Sequence, residues 1–157
     1  MYESQVPAGS PPPHEPEALV LRRILLAVVL VGIVGLAAEL LLLEHYEDVW
    51  QWTPLALLAA GLVAGTAVAL RPRRGVLLAF RAVMAVYIVA GPLGAYLHLQ
   101  GNAEFERESD PALTGTALFW ESLSGATPAL APGALAQLGL VGLALAYRHP
   151  ALRRTNN

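Results

Sequence analysis

The fold is decided by residues 22–50, which read RRILLAVVLVGIVGLAAELLLLEHYEDVW: two arginines, an apolar run, and then an acidic and aromatic boundary. The apolar run from Ile24 to Leu43 matches the roughly 20 residues that a helix needs to cross a bilayer. Similar runs follow at about 54–70, 76–99 and 131–147. The sequence therefore predicts an all-α fold, a transmembrane bundle of four helices.

The chain's 10 basic residues are all arginines, and all but one lie on the same side of the predicted spans. We call that side the arginine-rich end; it carries Arg22, Arg23, Arg71, Arg73, Arg74, Arg81, Arg148, Arg153 and Arg154. Arg107 is the exception, and it stands among the acidic residues of the opposite side, which we call the acidic end. Because cytoplasmic segments retain Lys and Arg, the pattern predicts that both termini are cytoplasmic and that the acidic end lies outside.

Composition agrees with a membrane protein. The chain is 55% hydrophobic and 14% charged, whereas soluble domains carry about 25% charged residues. The absence of cysteine excludes disulfides and thiolate metal sites. We predict a disordered, proline-rich cytoplasmic tail over residues 1–18, a membrane domain over 19–149 and a second cytoplasmic tail over 150–157. Abundant Ala, Arg, Gly and Pro without lysine indicate a GC-rich bacterial genome, and hence a multi-pass protein of the bacterial inner membrane.

A cleaved signal peptide is the alternative interpretation of the first span. Arg22 and Arg23 would be its basic region, residues 24–34 its apolar core and residues 35–37 a small-residue cleavage site. Against this, the apolar run resumes at Leu40, and a long acidic leader precedes the arginines. Cleavage would leave the remaining topology unchanged, so the arginine pattern does not decide between the two.

Glycine and proline suggest how the spans pack. Gly61 and Gly65 are four residues apart in the second span, a spacing that lets another helix approach closely. The pair Gly91-Pro92 predicts an interruption and a kink in the third span. Between the third and fourth spans, residues 111–123 predict a short extracytoplasmic amphipathic helix on the membrane surface. Its apolar stripe consists of Leu113, Ala117, Trp120 and Leu123.

Polar side chains with metal-binding chemistry cluster at the outer ends of spans one and three. The candidate ligands are Glu39, His45, Asp48, His98 and Glu104. Glu39 lies about one turn inside the apolar run, where a carboxylate is costly and usually faces the bundle interior; Tyr46 would then stand above it on the same helical face. The alternative is that Glu39 reaches the outer headgroups and has no function.

The spacing of these residues predicts how they converge. Asp48 follows His45 by three residues and Glu44 by four, so either pair can meet on a helical turn. His98 and Asn102 are also four residues apart, so they can converge if span three stays helical past Gly101. The glycine itself argues against such a continuation. Spans one and three both run outward, so we expect Glu39, His45 and His98 in one neighbourhood. Imidazoles and carboxylates together suit a divalent ion such as zinc, manganese or iron, although no established ligand motif is present.

The function that follows is a binding function. The sequence has no phosphate loop, dinucleotide fingerprint or nucleophile elbow, so we expect no enzymatic activity. We expect an accessory membrane subunit that binds a cation or a partner protein at its acidic end. Its partners would be the lipid bilayer and another membrane protein or a second copy, not nucleic acid. The first alternative is proton or metal transport through Glu39 and His98; the second is an oxidoreductase subunit whose His45 and His98 contact haem or quinone.

The arginine pattern makes a direct prediction about topology. Reporter fusions at Glu17, Arg74 and Arg154 should all report the cytoplasm, because these three positions lie at the arginine-rich end. Fusions at Asp48 and Ser109 should report the outside. An external signal at Arg74 would overturn the arrangement.

Overall fold

The computed structural model describes residues 15–153, with side chains from Glu17 onwards, and every regular element among them is helical. In chain order these are α1 (Glu15–Leu42), a 3₁₀ turn (Val49–Gln51), α2 (Trp52–Leu70), α3 (Arg74–Ser109), α4 (Gly115–Leu123), α5 (Gly133–Ala146) and α6 (Pro150–Arg153). Three of them, α1, α2 with its preceding turn, and α3, are long and apolar enough to cross a membrane. The expected all-helical fold with long apolar helices is confirmed. The fourth apolar helix, α5, is shorter at 14 residues.

Both termini of the described chain are more helical than the sequence predicts. Helix α1 begins at Glu15, inside the predicted tail of residues 1–18. Helix α6 occupies the start of the predicted carboxyl-terminal tail. The rest of the two tails, residues 1–14 and 154–157, lies outside the described residues.

The start of α2 depends on a cap that sequence inspection missed. Asp48 caps the 3₁₀ turn that immediately precedes α2. The Asp48 carboxylate accepts a hydrogen bond from the Trp50 amide at 3.3 Å, and the Gln51 side chain accepts from the Asp48 amide at 3.2 Å. This reciprocal pair is a capping box, whose signature is a short polar residue followed three positions later by Glu or Gln.

Helix α3 is not interrupted at Gly91-Pro92, and in this respect the prediction is wrong. It runs unbroken for 36 residues, or roughly 54 Å at 1.5 Å per residue, well beyond the ~30 Å core of a bilayer. Pro92 removes one backbone hydrogen bond, but the residue is exposed on the surface of the helix. The acidic stretch after Gly101 is therefore the end of a long helix.

Helix α4 falls where a short helix is expected, but a different face packs on the bundle. Leu118 and Ser122 are buried against the end of α3. Trp120, a member of the predicted apolar stripe, is 61% exposed. Contact of that stripe with a membrane surface stays a prediction.

The four longer helices surround one apolar core. Helix α1 contacts α2 and α5, and α3 contacts the same two helices. The buried core side chains are Val29, Ile33, Leu58, Val68, Leu77, Phe80, Met84, Tyr87, Leu135, Leu145 and Ala146. The predicted glycine face of α2 is confirmed: Gly61 lies against Tyr87, and Gly65 lies against Leu30. The Tyr87 hydroxyl donates to the carbonyl of Leu57 at 2.9 Å, which satisfies the polar group at this close contact.

Helices α3 and α5 approach each other closely at their glycines. A Cβ placed on Gly139 would lie 2.6 Å from the main-chain oxygen of Met84. A Cβ on Gly91 would lie 2.9 Å from the carbonyl oxygen of Pro132. Since the obstructing atoms belong to the backbone, they cannot move aside as a flexible side chain would. Small residues at such contacts are what allow helices to pack closely in a membrane.

We predict that Gly139→Ala lowers the free energy of unfolding by about 1–3 kcal/mol, because the new methyl group forces α3 and α5 apart. Gly35→Ala in α1 is the matched control, since nothing lies within 4 Å of its Cβ position. Alanine there should stabilise the helix by up to about 1 kcal/mol. Denaturation in mild detergent, followed by circular dichroism, measures both. Equal tolerance of the two variants would contradict the close α3–α5 contact.

Candidate functional site

The two histidines of the predicted site meet at the acidic end. The ring centroids of His45 and His98 are 6.1 Å apart, and the ring planes are tilted by 53°. Both side chains are half-buried, so the pair is accessible from outside yet packed into the protein. Helices α1 and α3 both contact α2 and α5, but they do not contact each other in the described part of the chain. It is therefore the turn after α1 that places His45 beside α3.

That turn is fixed by hydrogen bonds at the end of α1. The His45 amide donates to the carbonyl of Leu40 at 2.9 Å, and the Glu44 amide donates to that of Leu41 at 3.2 Å. Together they form a Schellman motif, in which the residue after the helix takes the left-handed conformation. Glu44 has φ 53°, a region that normally favours glycine. The backbone therefore accepts local strain to hold His45 in place.

His98 is held in one orientation by a backbone carbonyl. Its Nδ1 lies 3.2 Å from the oxygen of Pro128, in the segment between α4 and α5. Since a carbonyl only accepts, Nδ1 is the donor, and a neutral ring then has its lone pair on Nε2. Histidines that bind metals usually donate their second ring nitrogen to a carbonyl or carboxylate in this way.

One turn further along α3, Asn102 clamps the same segment. Its amide nitrogen donates to the carbonyls of Ser122 at 2.9 Å and Thr127 at 2.7 Å, and its oxygen accepts from the Thr127 amide at 3.2 Å. Asn102 is 4% exposed, and Gly125 packs directly on it. The sequence placed Asn102 on the same helical side as His98; its role is to hold the loop whose Pro128 orients that histidine.

The other predicted ligands do not join the histidines. Glu39 is exposed on α1, so it does not face the bundle interior as predicted. The α-helix ends at Leu42, so Tyr46 does not stand above Glu39 on a continued helical face; its ring lies 6.3 Å from that of Trp52. Because α1 ends at Leu42, Asp48 does not share a helical turn with His45 or Glu44 as expected. It caps the following 3₁₀ turn instead.

Glu104 is exposed on the last part of α3, at the acidic end. Within residues 15–153, no three His, Asp or Glu side chains converge in a way that could hold a metal ion. Of the five predicted ligands, the structure brings only His45 and His98 together.

The electrostatic setting favours a neutral His45 at the negatively charged end of the molecule. Partial burial lowers the pKa of His45 below its ordinary value of 6.5, and the adjacent His98 lowers it further. His45 is therefore neutral at pH 7, with a lone pair available to a cation. Nine of the chain's 12 acidic residues lie at the acidic end. Such a surface raises the local concentration of cations.

Sequence reasoning missed two backbone features of this site. The carbonyl of Pro128 carries no signal in the sequence, and neither does the left-handed backbone of Glu44. The amide of Asn102 could have been suspected, since an uncharged polar residue between apolar positions of a helix usually has a buried partner.

Comparison of the chain with protein-family models, with curated proteins and with solved structures finds no significant match. The function therefore has to be argued from these residues.

We predict that Asn102→Ala weakens the acidic end, because three backbone groups lose their partner at about 1 kcal/mol each. Unfolding free energy should fall by about 2–3 kcal/mol, and external protease should cut near residues 123–128 more readily. Ser109→Ala, at an exposed site on the same helix end, removes one hydrogen bond and should change stability by less than about 0.5 kcal/mol. If the Asn102 variant resists protease as the wild type does, the clamp is refuted.

Proposed function

We propose that this protein is a four-span protein of the bacterial inner membrane that binds a divalent transition-metal ion at its acidic, extracytoplasmic end. His45 and His98 supply the protein ligands, and water or a carboxylate from outside completes the coordination. The arginine-rich end, including both termini, faces the cytoplasm. In this role the protein serves as a small accessory subunit that presents the ion at the outer surface.

The observation that carries the proposal is the spacing and fixation of the two imidazoles. A tetrahedral metal ion about 2.1 Å from one nitrogen of each ring holds the ring centroids roughly 5.2 Å apart, and a wider ligand angle increases this separation to at most roughly 6.4 Å. The observed separation of His45 and His98 is 6.1 Å. His98 is also oriented by the Pro128 carbonyl, which reduces the entropy lost on binding. Among divalent ions, neutral imidazole favours zinc, copper, iron and nickel over calcium and magnesium.

The membrane assignment rests on apolar helices and on charge. Three helices are long and apolar enough to cross a bilayer. At 14 residues, α5 covers roughly 21 Å, so a fourth crossing requires local thinning of the bilayer or a contribution from the preceding turns. The segregation of arginine to one end supports the orientation.

Binding of a partner protein is the second candidate, favoured by exposed aromatic rings near the acidic end. Phe105 on α3 is 58% exposed, and Phe119 and Trp120 on α4 are 48% and 61% exposed. Aromatic side chains are enriched at protein interfaces. The same rings also suit the headgroup region of a bilayer. They are therefore weaker support for a protein partner than the histidine pair is for a cation.

The other two alternatives have less support. Transport through Glu39 and His98 requires a polar route into the bundle, yet Glu39 is exposed and the core beneath is filled by Phe80, Met84 and Tyr87. A haem-contacting role for His45 and His98 would give the purified protein a strong visible absorbance, which offers a rapid test.

Titration of the purified protein with zinc by calorimetry tests the proposal. Wild type should bind one ion per chain, and His45→Gln or His98→Gln should each weaken binding by about tenfold or more. His149→Gln is the matched control, because it removes a histidine at the arginine-rich end and should leave affinity unchanged. Equal loss in all three variants, or no loss in the first two, would exclude the site.

Acidification should release the ion, because protons compete for the imidazole lone pairs. The pKa of His45 lies below 6.5, so this ring stays neutral at a pH where an unperturbed histidine is half protonated. Affinity should therefore fall as the pH is lowered through the range in which imidazoles take up protons. An affinity independent of pH over this range would point to carboxylate ligands instead.

A further inference from the structure

The arginine-rich end contains a cleft that the metal site does not involve. It has a volume of about 420 Å³ and is lined by Arg81, Leu143, Ala146, Tyr147 and Arg148. Arg81 comes from α3, and the other four belong to the last turn of α5 and the residues after it. The lining thus combines two fixed positive charges with apolar groups, and none of it is acidic.

The chain places Arg148 in this cleft by an unusual backbone. Helix α5 ends at Ala146, Tyr147 is extended, and Arg148 adopts a left-handed conformation with φ 46°. Its guanidinium lies over the Tyr147 ring, 5.4 Å from the centroid, a cation–π contact that restrains the side chain. A non-glycine residue in this region is strained, and such strain concentrates at binding sites.

A third arginine supports the wall of the cleft. Arg22 of α1 donates to the carbonyls of Tyr147 and Arg148, at 3.2 and 3.3 Å. These oxygens follow the carboxyl-terminal end of α5, where a positive charge is stabilising. The Nε of Arg22 is buried and has no hydrogen-bond partner in the described part of the chain. Three guanidinium groups are therefore gathered where the lining itself offers no negative charge.

We infer that the cleft between Arg81 and Arg148 binds the phosphate of an anionic phospholipid headgroup. Guanidinium groups form paired, charge-assisted hydrogen bonds with phosphate oxygens, and two of them can hold one phosphate from either side. The Tyr147 ring suits the headgroup level, and Leu143 and Ala146 continue the lining towards the apolar surface of α5, along which acyl chains can lie. Basic pockets between helices at the cytoplasmic edge bind such lipids in other membrane proteins.

This inference is independent of the metal site, because it concerns the opposite end of the molecule. It requires only that the apolar helices lie in a membrane. Free phosphate shares the headgroup's chemistry, but it would make no use of the apolar side of the cleft.

The experiment compares lipids on the full-length protein in mild detergent. Thermal unfolding is followed by tryptophan fluorescence while phosphatidylglycerol, phosphatidylcholine or inorganic phosphate is added. Phosphatidylglycerol should raise the melting temperature of the wild type, because a ligand that binds only the folded state stabilises it. The other two additions should have little effect.

The double variant Arg81→Gln/Arg148→Gln should weaken the response to phosphatidylglycerol by about tenfold or more in lipid concentration. Arg71→Gln/Arg73→Gln is the matched control; it removes the same charge from the exposed connection between α2 and α3 and should respond like the wild type. Arg81→Lys/Arg148→Lys keeps the charge and should retain part of the response, which separates lost binding from misfolding. Equal weakening in both Gln variants, an equal response to phosphatidylcholine, or a matching response to inorganic phosphate would each overturn the lipid site.

Discussion

Close approach of α3 and α5 is the constraint on which the rest of the structure depends. Gly139 and Gly91 bring the two backbones within reach of each other, with Met84 and Pro132 as the facing groups. Because both helices are fixed along their length, their ends are fixed as well. At the acidic end, α5 is preceded by the loop whose carbonyl orients His98. At the arginine-rich end, the same pair of helices forms a cleft between two arginines. One packing contact thus positions both the histidine pair and the cleft between the two arginines.

The sequence was most informative where the pattern depends on burial and charge alone. Apolar runs located the long helices, since length and hydropathy are sufficient to decide them. Gly61 and Gly65 were expected to face a neighbouring helix, and they do, because only small residues permit that approach. The proximity of His45 and His98 was also expected, from the common outward direction of their helices, and the ring contact confirms it.

Features that depend on backbone hydrogen bonds could not be predicted from the pattern of residues in the sequence. The end of α1 depends on a left-handed Glu44, a conformation for which glutamate carries no signal. That turn prevented Asp48 from joining His45 and directed it to a capping role. Helix α3 continues past Pro92 and Gly101 although both residues disfavour helix, because propensity is only a weak constraint on a helix that packs along its length. The depth of Glu39 in the apolar run suggested that it faces the bundle interior, but its side chain is exposed.

The central functional claim is that this packing holds two imidazoles as ligands for one cation. X-ray absorption spectroscopy of the zinc-loaded protein tests it most directly, because the spectrum counts imidazole rings and measures their distance from the metal. The account predicts two imidazoles per zinc at about 2.0–2.1 Å, with oxygen ligands completing the shell. The same two rings should remain in His149→Gln. A shell of oxygen alone, or one with a single imidazole, would contradict the assignment of His45 and His98 as the metal ligands.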